Sequence, residues 1–148
     1  MIYVASSWRC EFQPEIVRFL QKRGHDVYDF KNPRPGDHGF HWSAISTRWT
    51  EWSCSEFRSG LASPIAQAGF RSDMAALRAC DVVMLVLPCG RSAHAEAGWA
   101  AGAGKKVYVY LPPRKQIEPE LMYLMFDGIT DTFAELAEML AGVGAQCR

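Results

Sequence analysis

Apolar residues along this chain fall into two kinds of pattern. In one they form short unbroken runs, which read as buried strands: MIYVAS (1–6), HDVYDF (25–30), the stretch 81–87, KKVYVYL (105–111) and a last short one, FDGIT (126–130). In the other they recur every three or four residues, which predicts helices. Pro14 suits a first helical turn, Ile16, Val17, Phe19 and Leu20 form one face behind it, and Gly24 is the expected stop. The segment KNPRPGDHG (31–39) holds two prolines and two glycines and reads as a loop. From Phe40 to Phe57, the spacing of Trp42, Ile45, Trp49, Trp52 and Glu56 predicts one helix with its aromatics on one side, interrupted afterwards by SGLASP (59–64). Ser72 is the expected cap of a helix holding Met74, Ala75 and Leu77. Ser92 is the expected N-cap of the helix carrying Glu96, which ends near Gly102 and Gly104. Ile117–Phe126 reads as a short helix beginning near Pro119, and Asp131 as the cap of a last helix through Leu140.

Strands that are apolar on both faces and alternate with helices imply a parallel sheet covered on both sides. The expected fold is therefore α/β: a single-domain flavodoxin/Rossmann-like three-layer sandwich with a mainly parallel sheet of about five strands, spanning 1–148, with a Trp-rich insertion or lid at about 31–70. Such folds bind ligands beyond the carboxyl ends of their strands. The loops 6–9, 32–39 and 88–92 should then share one crevice.

Composition narrows the chemistry. The 148 residues carry 16 basic and 16 acidic side chains, a formal net charge of zero, and no long block of one sign, so the footprint of a nucleic-acid binder is missing and a small ligand is expected. The five cysteines (Cys10, Cys54, Cys80, Cys89, Cys147) are unevenly spaced and include no CxxC pair, so they encode neither a zinc site nor a disulfide framework; a reducing cytoplasm is the natural reading. The longest apolar run, VVMLVLP, is too short to span a bilayer. No GxGxxG, GK[ST] or HExxH occurs, and no cofactor or metal is implied.

The informative stretch is LPCGRSAHAEAGW (87–99), where a buried strand gives way to a helix of small residues carrying one acid, Glu96. An acid near a helix start is favoured by the free N–H groups there, and that is the plain structural reading. Ala93, Ala95, Ala97 and Gly98 around it would also let a bulky ligand approach closely. Cys89 follows a strand, yet a phosphatase-type loop would need an arginine where Ala95 stands, and GRSAH is not a GxSxG elbow. His94, with no second histidine near it, reads as exposed or cap-like. His38 and His41 are candidate substrate contacts, and Trp42, Trp49 and Trp52 read as core packing, with an aromatic lid over a base as the functional alternative.

Three stretches, IYVASSWR (2–9), SDMAALRACDVVMLVL (72–87) and RSAHAEAGWAAGAGKKVYVYL (91–111), resemble the nucleoside 2-deoxyribosyltransferase family and its relatives, the 2′-deoxynucleoside 5′-monophosphate N-hydrolases. The resemblance implies that Glu96 is the nucleophile at the anomeric carbon, that Tyr3 orients its carboxylate, and that Asp73 contacts and protonates the departing base. It further implies that Ser7 and Arg9, joined by Ser92, bind a 5′-phosphate, with Trp8 and Gly90 completing the substrate-binding set. The substrate so implied is a nucleoside or nucleotide, and relatives assemble into homodimers or larger; the apolar helix from Phe133 to Leu140 could pack on a partner or close its own sheet. Here Gly90 stands six residues before Glu96, a departure from the transferase branch's more closely placed glycines that bears on the binding role of this loop; separately, the family's asparagine near the C-terminus has no counterpart, which favours hydrolysis over sugar transfer. Two other functions fit the same outline: cleavage of NAD in the manner of TIR-type domains, and a non-catalytic nucleotide-binding module.

Overall fold

The computed structural model describes residues 1–113 and 115–141, so Cys147 lies outside the described residues. The elements in order are β1 (Ile2–Ala5), α1 (Gln13–Lys22), β2 (Val27–Asp29), α2 (Cys54–Ala62), α3 (Pro64–Ala79), β3 (Val82–Val86), α4 (Arg91–Gly102), β4 (Lys106–Tyr110), β5 (Gly128–Thr130) and α5 (Phe133–Ala141), with short 3-10 helices at Trp42–Ala44, Trp49–Glu51 and Leu121–Met125. The chain divides into two compact units, Met1–Tyr28 with Cys80 onward, and Asp29–Ala79.

The first unit is built on one five-stranded sheet in the order β2-β1-β3-β4-β5. β1 pairs with β3, β3 with β4 and β4 with β5, all in parallel, with Ile2 opposite Val82, Val82 opposite Lys106 and Tyr108 opposite Gly128. Every residue of β1 and β3 is buried, which is why both read as unbroken apolar runs. Successive side chains point to opposite faces. Ile2, Val4, Val82, Met84, Val86, Tyr108 and Tyr110 pack with Ile16, Val17 and Leu20 of α1 and with Leu136 and Leu140 of α5. The alternate residues Tyr3, Ala5, Val83, Leu85, Val107 and Val109 are buried on the other face, where α4 packs and buries Ala93, Ala97 and Ala100. The fold is thus α/β in three layers, with α1 and α5 below the sheet and α4 above. The apolar side of α5 closes its own sheet, the second of the two outcomes left open for that helix.

Several helix starts differ from expectation, and each has a local cause. α4 begins two residues earlier, with Gly90 at its N-cap, so Ser92 is the second helical residue and Glu96 lies in the second turn, beyond the reach of the terminal N–H groups. α5 starts behind Thr132, whose Oγ1 accepts from the Glu135 backbone N–H at 3.2 Å, so Thr132 and not Asp131 is the cap. α3 runs uninterrupted from Pro64, with the Ser63 hydroxyl accepting from the Ala66 N–H at 3.2 Å; Ser72 therefore lies inside the helix. The expected ends hold, since α1 stops before Gly24 (φ 83°) and α4 before Gly104 (φ 75°), conformations that glycine adopts without strain.

The second unit replaces the expected helix over 40–57 with two 3-10 turns and then α2, whose start is a capping box. The Ser53 hydroxyl accepts from Glu56 N–H, and the Glu56 carboxylate accepts from Ser53 N–H at 2.8 Å. That strong start signal splits the aromatic stripe. The rings still gather: Trp42 meets Trp52 edge-on at 5.7 Å and Phe40 at 4.7 Å, and Trp52 lies so close to Gly60 that α2 has no room there for a Cβ. Arg34–Asp37 forms a tight turn, closed by Asp37 N–H donating to the Arg34 carbonyl at 3.0 Å, with Gly36 at φ 80° in the position a type II turn requires.

Candidate active site

In a sheet of this order the chain reverses direction of travel between β1 and β3, and the crevice of such folds opens there, beyond the strand ends. Two bonds tie the flanking loops together. The Ser6 hydroxyl donates to the Val86 carbonyl at 2.8 Å, and the Cys10 thiol to the Leu87 carbonyl at 3.6 Å. The chain leaves β1 through a turn in which the Arg9 and Cys10 N–H groups donate to the Ser7 hydroxyl and carbonyl. This leaves Ser7 half-buried and Trp8 and Arg9 exposed.

On the other side of the reversal the chain leaves β3 through Pro88 and Cys89 into α4. Gly90 and Ser92 are exposed at the start of the helix, and Glu96 is half-buried one turn further on. A methyl group added at Gly90 or Gly98 would meet no heavy atom within 4 Å, so the small residues do leave open space along this helix. Tyr3 is fully buried on the sheet face that α4 covers, its ring stacked on Tyr28 at 5.0 Å. Seven of the sequence-predicted residues (Tyr3, Ser7, Trp8, Arg9, Gly90, Ser92 and Glu96) therefore belong to the first unit. Asp73 is half-buried midway along α3, in the second. His38, His41 and the loop 32–39 also belong to the second unit.

A polar cluster at the start of α4 joins His94 to Tyr123, a pairing with no counterpart in the sequence reading. His94 Nδ1 lies 2.9 Å from the Gly90 carbonyl, which can only accept, so Nδ1 carries the proton; this is the cap-like contact expected of His94. In the neutral imidazole Nε2 is then the acceptor, and the Tyr123 hydroxyl donates to it at 2.8 Å. The two rings stack at 5.8 Å, and Phe126 stacks behind Tyr123 at 5.4 Å. The Cys89 sulfur is 3.5 Å from His94 Nδ1. Burial, with Cys10 and the Glu96 carboxylate nearby, pushes the Cys89 thiol up to about 12, so it stays protonated and is no nucleophile. Burial, with Cys89 and Glu120 nearby, likewise pushes the Tyr123 phenol up to about 12. Cys89 thus stands within electrostatic reach of both Glu96 and Tyr123. No local signal marks the His94–Tyr123 pair, because 29 residues separate its members.

A separate cavity of about 380 Å³ opens at the ends of β4 and β5, lined by Leu111, Lys115, Ile129, Thr130, Asp131 and Glu135 among others; none of the sequence-predicted site residues lines it. Among the described residues there is no group of three or more His, Cys, Asp or Glu that could hold a metal ion, and no helix long and apolar enough to cross a membrane.

Fold and site together define a flavodoxin-type parallel α/β sandwich whose central strand feeds a carboxylate-bearing helix beside the reversal point. Protein-family models give no match to the chain, and no curated protein matches it. Among solved structures the chain is similar to the CMP N-glycosidase BcmB of Clostridium botulinum, at 17% identity over 95% of this chain and 97% of that one, with a TM-score of 0.49.

Proposed function

We propose that the chain cleaves the N-glycosidic bond of a nucleoside or nucleoside 5′-monophosphate through a covalent glycosyl-Glu96 intermediate. One observation carries the reading: the half-buried Glu96 carboxylate sits on a helix of alanines and glycines that follows the central strand, over the sheet face that buries Tyr3. In this reading a Glu96 oxygen attacks the anomeric carbon as the bond to the base breaks. The electron pair leaves with the base nitrogen, which takes a proton from Asp73, and Tyr3 orients the attacking carboxylate. Water then opens the glycosyl ester, its proton passing to the Asp73 carboxylate while the bond to Glu96 breaks and Glu96 leaves in its ionised form; transfer of the sugar to a second base is the variant of the same step. Ser7, Arg9 and Ser92 would hold the 5′-phosphate as hydroxyl and guanidinium donors, assisted by the N–H groups behind Gly90, while Trp8 flanks the sugar or base.

The test is a chromatographic screen for free base released from nucleosides, nucleoside 5′-monophosphates and NAD. Base release from a member of the first two groups, lowered by ~10³-fold or more in Glu96→Gln with the circular dichroism unchanged, is expected. A sugar adduct on Glu96, seen by mass spectrometry of a quenched reaction, would identify the intermediate. Full turnover by Glu96→Gln would refute the assignment. Release of nicotinamide alone would move the substrate to NAD, and tight binding without turnover would leave a binding module.

A further inference from the structure

We propose that Tyr123 and His94 are positioning residues for the start of α4: the Tyr123 hydroxyl fixes the tautomer of His94, and the His94 ring closes the first turn of the helix through the Gly90 carbonyl. The inference rests on the reading above, that this turn receives the 5′-phosphate. On its own α4 starts weakly. Gly90 at the N-cap brings no side chain to the turn, and no side-chain cap bond is made. The first backbone bond of the helix, from His94 N–H to the Gly90 carbonyl, is 3.4 Å long, well beyond the usual range. The same carbonyl accepts a shorter bond of 2.9 Å from Nδ1 of the His94 ring. That side-chain bond holds the turn shut, with the N–H groups of Arg91, Ser92 and Ala93 pointing outward as they do at any helix start.

The ring bond exists only while Nδ1 carries the proton, since the carbonyl can only accept. A neutral imidazole has one proton for two nitrogens, so the partner of Nε2 decides where that proton sits. Here the partner is the Tyr123 hydroxyl, 2.8 Å away, with its ring stacked between those of His94 and Phe126. The Tyr123 backbone is fixed in turn, its N–H donating to the Glu120 carbonyl at 3.2 Å and its carbonyl accepting from Phe126 N–H at 3.0 Å. Burial, with Cys89 and Glu120 nearby, pushes the phenol up to about 12, so it remains a donor at neutral pH. In Tyr123→Phe, Nε2 meets water, which donates or accepts equally well, and the Nε2–H form becomes populated. The bare Nδ1 and the Gly90 oxygen are then two acceptors 2.9 Å apart, which repel, and the donor facing Nδ1 is the Cys89 thiol at 3.5 Å. The ring turns toward that thiol and the first turn loosens. A loosened turn must be ordered again at the moment an anion binds, which weakens binding. Glu96 follows His94 by two residues, which on a helix places the two on opposite flanks, so the loss falls on binding and not on the attack.

The test compares wild type, Tyr123→Phe and His94→Ala at about pH 8, above the ordinary histidine range. Long-range proton–nitrogen NMR spectra read the imidazole tautomer, and inorganic phosphate is titrated while the amide signals of Arg91, Ser92 and Ala93 are followed. The wild type should hold His94 in the Nδ1–H form and Tyr123→Phe should show both forms. Phosphate should shift those amides in the wild type and bind roughly fivefold more weakly to either variant. In turnover of a nucleoside 5′-monophosphate, Tyr123→Phe should raise KM by a similar factor with kcat within about twofold, and leave KM for the matching nucleoside unchanged. A merely structural role for the pair would lower stability without this split. An Nε2–H tautomer in the wild type overturns the proposal, as do amides that phosphate leaves unmoved, an affinity unchanged in both variants, or equal losses for nucleoside and monophosphate. Base release surviving in Glu96→Gln would instead refute the assigned nucleophile and leave the tautomer and phosphate results standing.

Discussion

Replacing Tyr123 by phenylalanine removes one oxygen atom and leaves the ring that stacks on His94 and Phe126 in place. What is lost is the hydroxyl that donates to His94 Nε2 at 2.8 Å, a bond linking the segment before β5 to the first turns of α4. A neutral bond of this kind contributes a net 0.5–1.5 kcal/mol, or about 1 kcal/mol here, because the site is only half buried and water partly replaces the lost donor. For a chain of this length that lowers the melting temperature by about 2–4 °C. His94→Ala removes the same bond from the other side and also frees the Gly90 carbonyl, so the single variants do not isolate the pair. The double-mutant cycle does: urea unfolding of wild type, Tyr123→Phe, His94→Ala and the double variant should give a coupling of about 0.5–1.5 kcal/mol. A coupling below about 0.3 kcal/mol, the scatter of independent sites, would show that the two side chains do not hold each other.

Two further outcomes follow from the electrostatics. Burial alone would raise the Asp127 carboxyl, but the Lys106 ammonium and the Val107 N–H at 2.9 Å together hold it below its ordinary value. A depressed folded value stabilises the fold above the unfolded carboxylate range and is lost as pH falls through the folded value; Asp127→Asn should therefore lower the urea midpoint at neutral pH, and the gap should close below about pH 3.9. A gap that widens on acidification would contradict the ion pair. With its thiol pushed up to about 12, Cys89 should be alkylated by iodoacetamide at pH 8 far more slowly than the exposed Cys54, and Cys89→Ser should keep base release within a few-fold of wild type. Preferential labelling of Cys89 would reopen its case as a nucleophile.

The strands were legible because each central one is buried on both faces, which leaves an unbroken apolar run such as Val82–Val86 that no turn residue punctuates. Helix ends were legible where glycine takes a positive φ, as at Gly24 and Gly104. Helix starts were not, because the chain offers more than one capping residue for each helix: Ser92 or Gly90, Asp131 or Thr132, and Ser72 or, nine residues earlier, Ser63. Which one caps is decided by where the helix must pack, a tertiary fact. The aromatic spacing over 40–57 was overridden by the Ser53–Glu56 capping box, although packing still gathers Trp42, Trp52 and Phe40. At the candidate site the carboxylate helix was readable from its break in hydrophobicity after β3. Tyr123 was hidden, since its meaning comes from a ring and a nitrogen far away in the chain.

Both outer strands of the sheet, β2 and β5, are only three residues long. Such margins offer an incoming polypeptide few free amide and carbonyl groups, too few to template continuous ladder growth. Contacts between molecules are therefore left to side chains, which favours discrete, reversible assemblies over fibres even when the chain is concentrated.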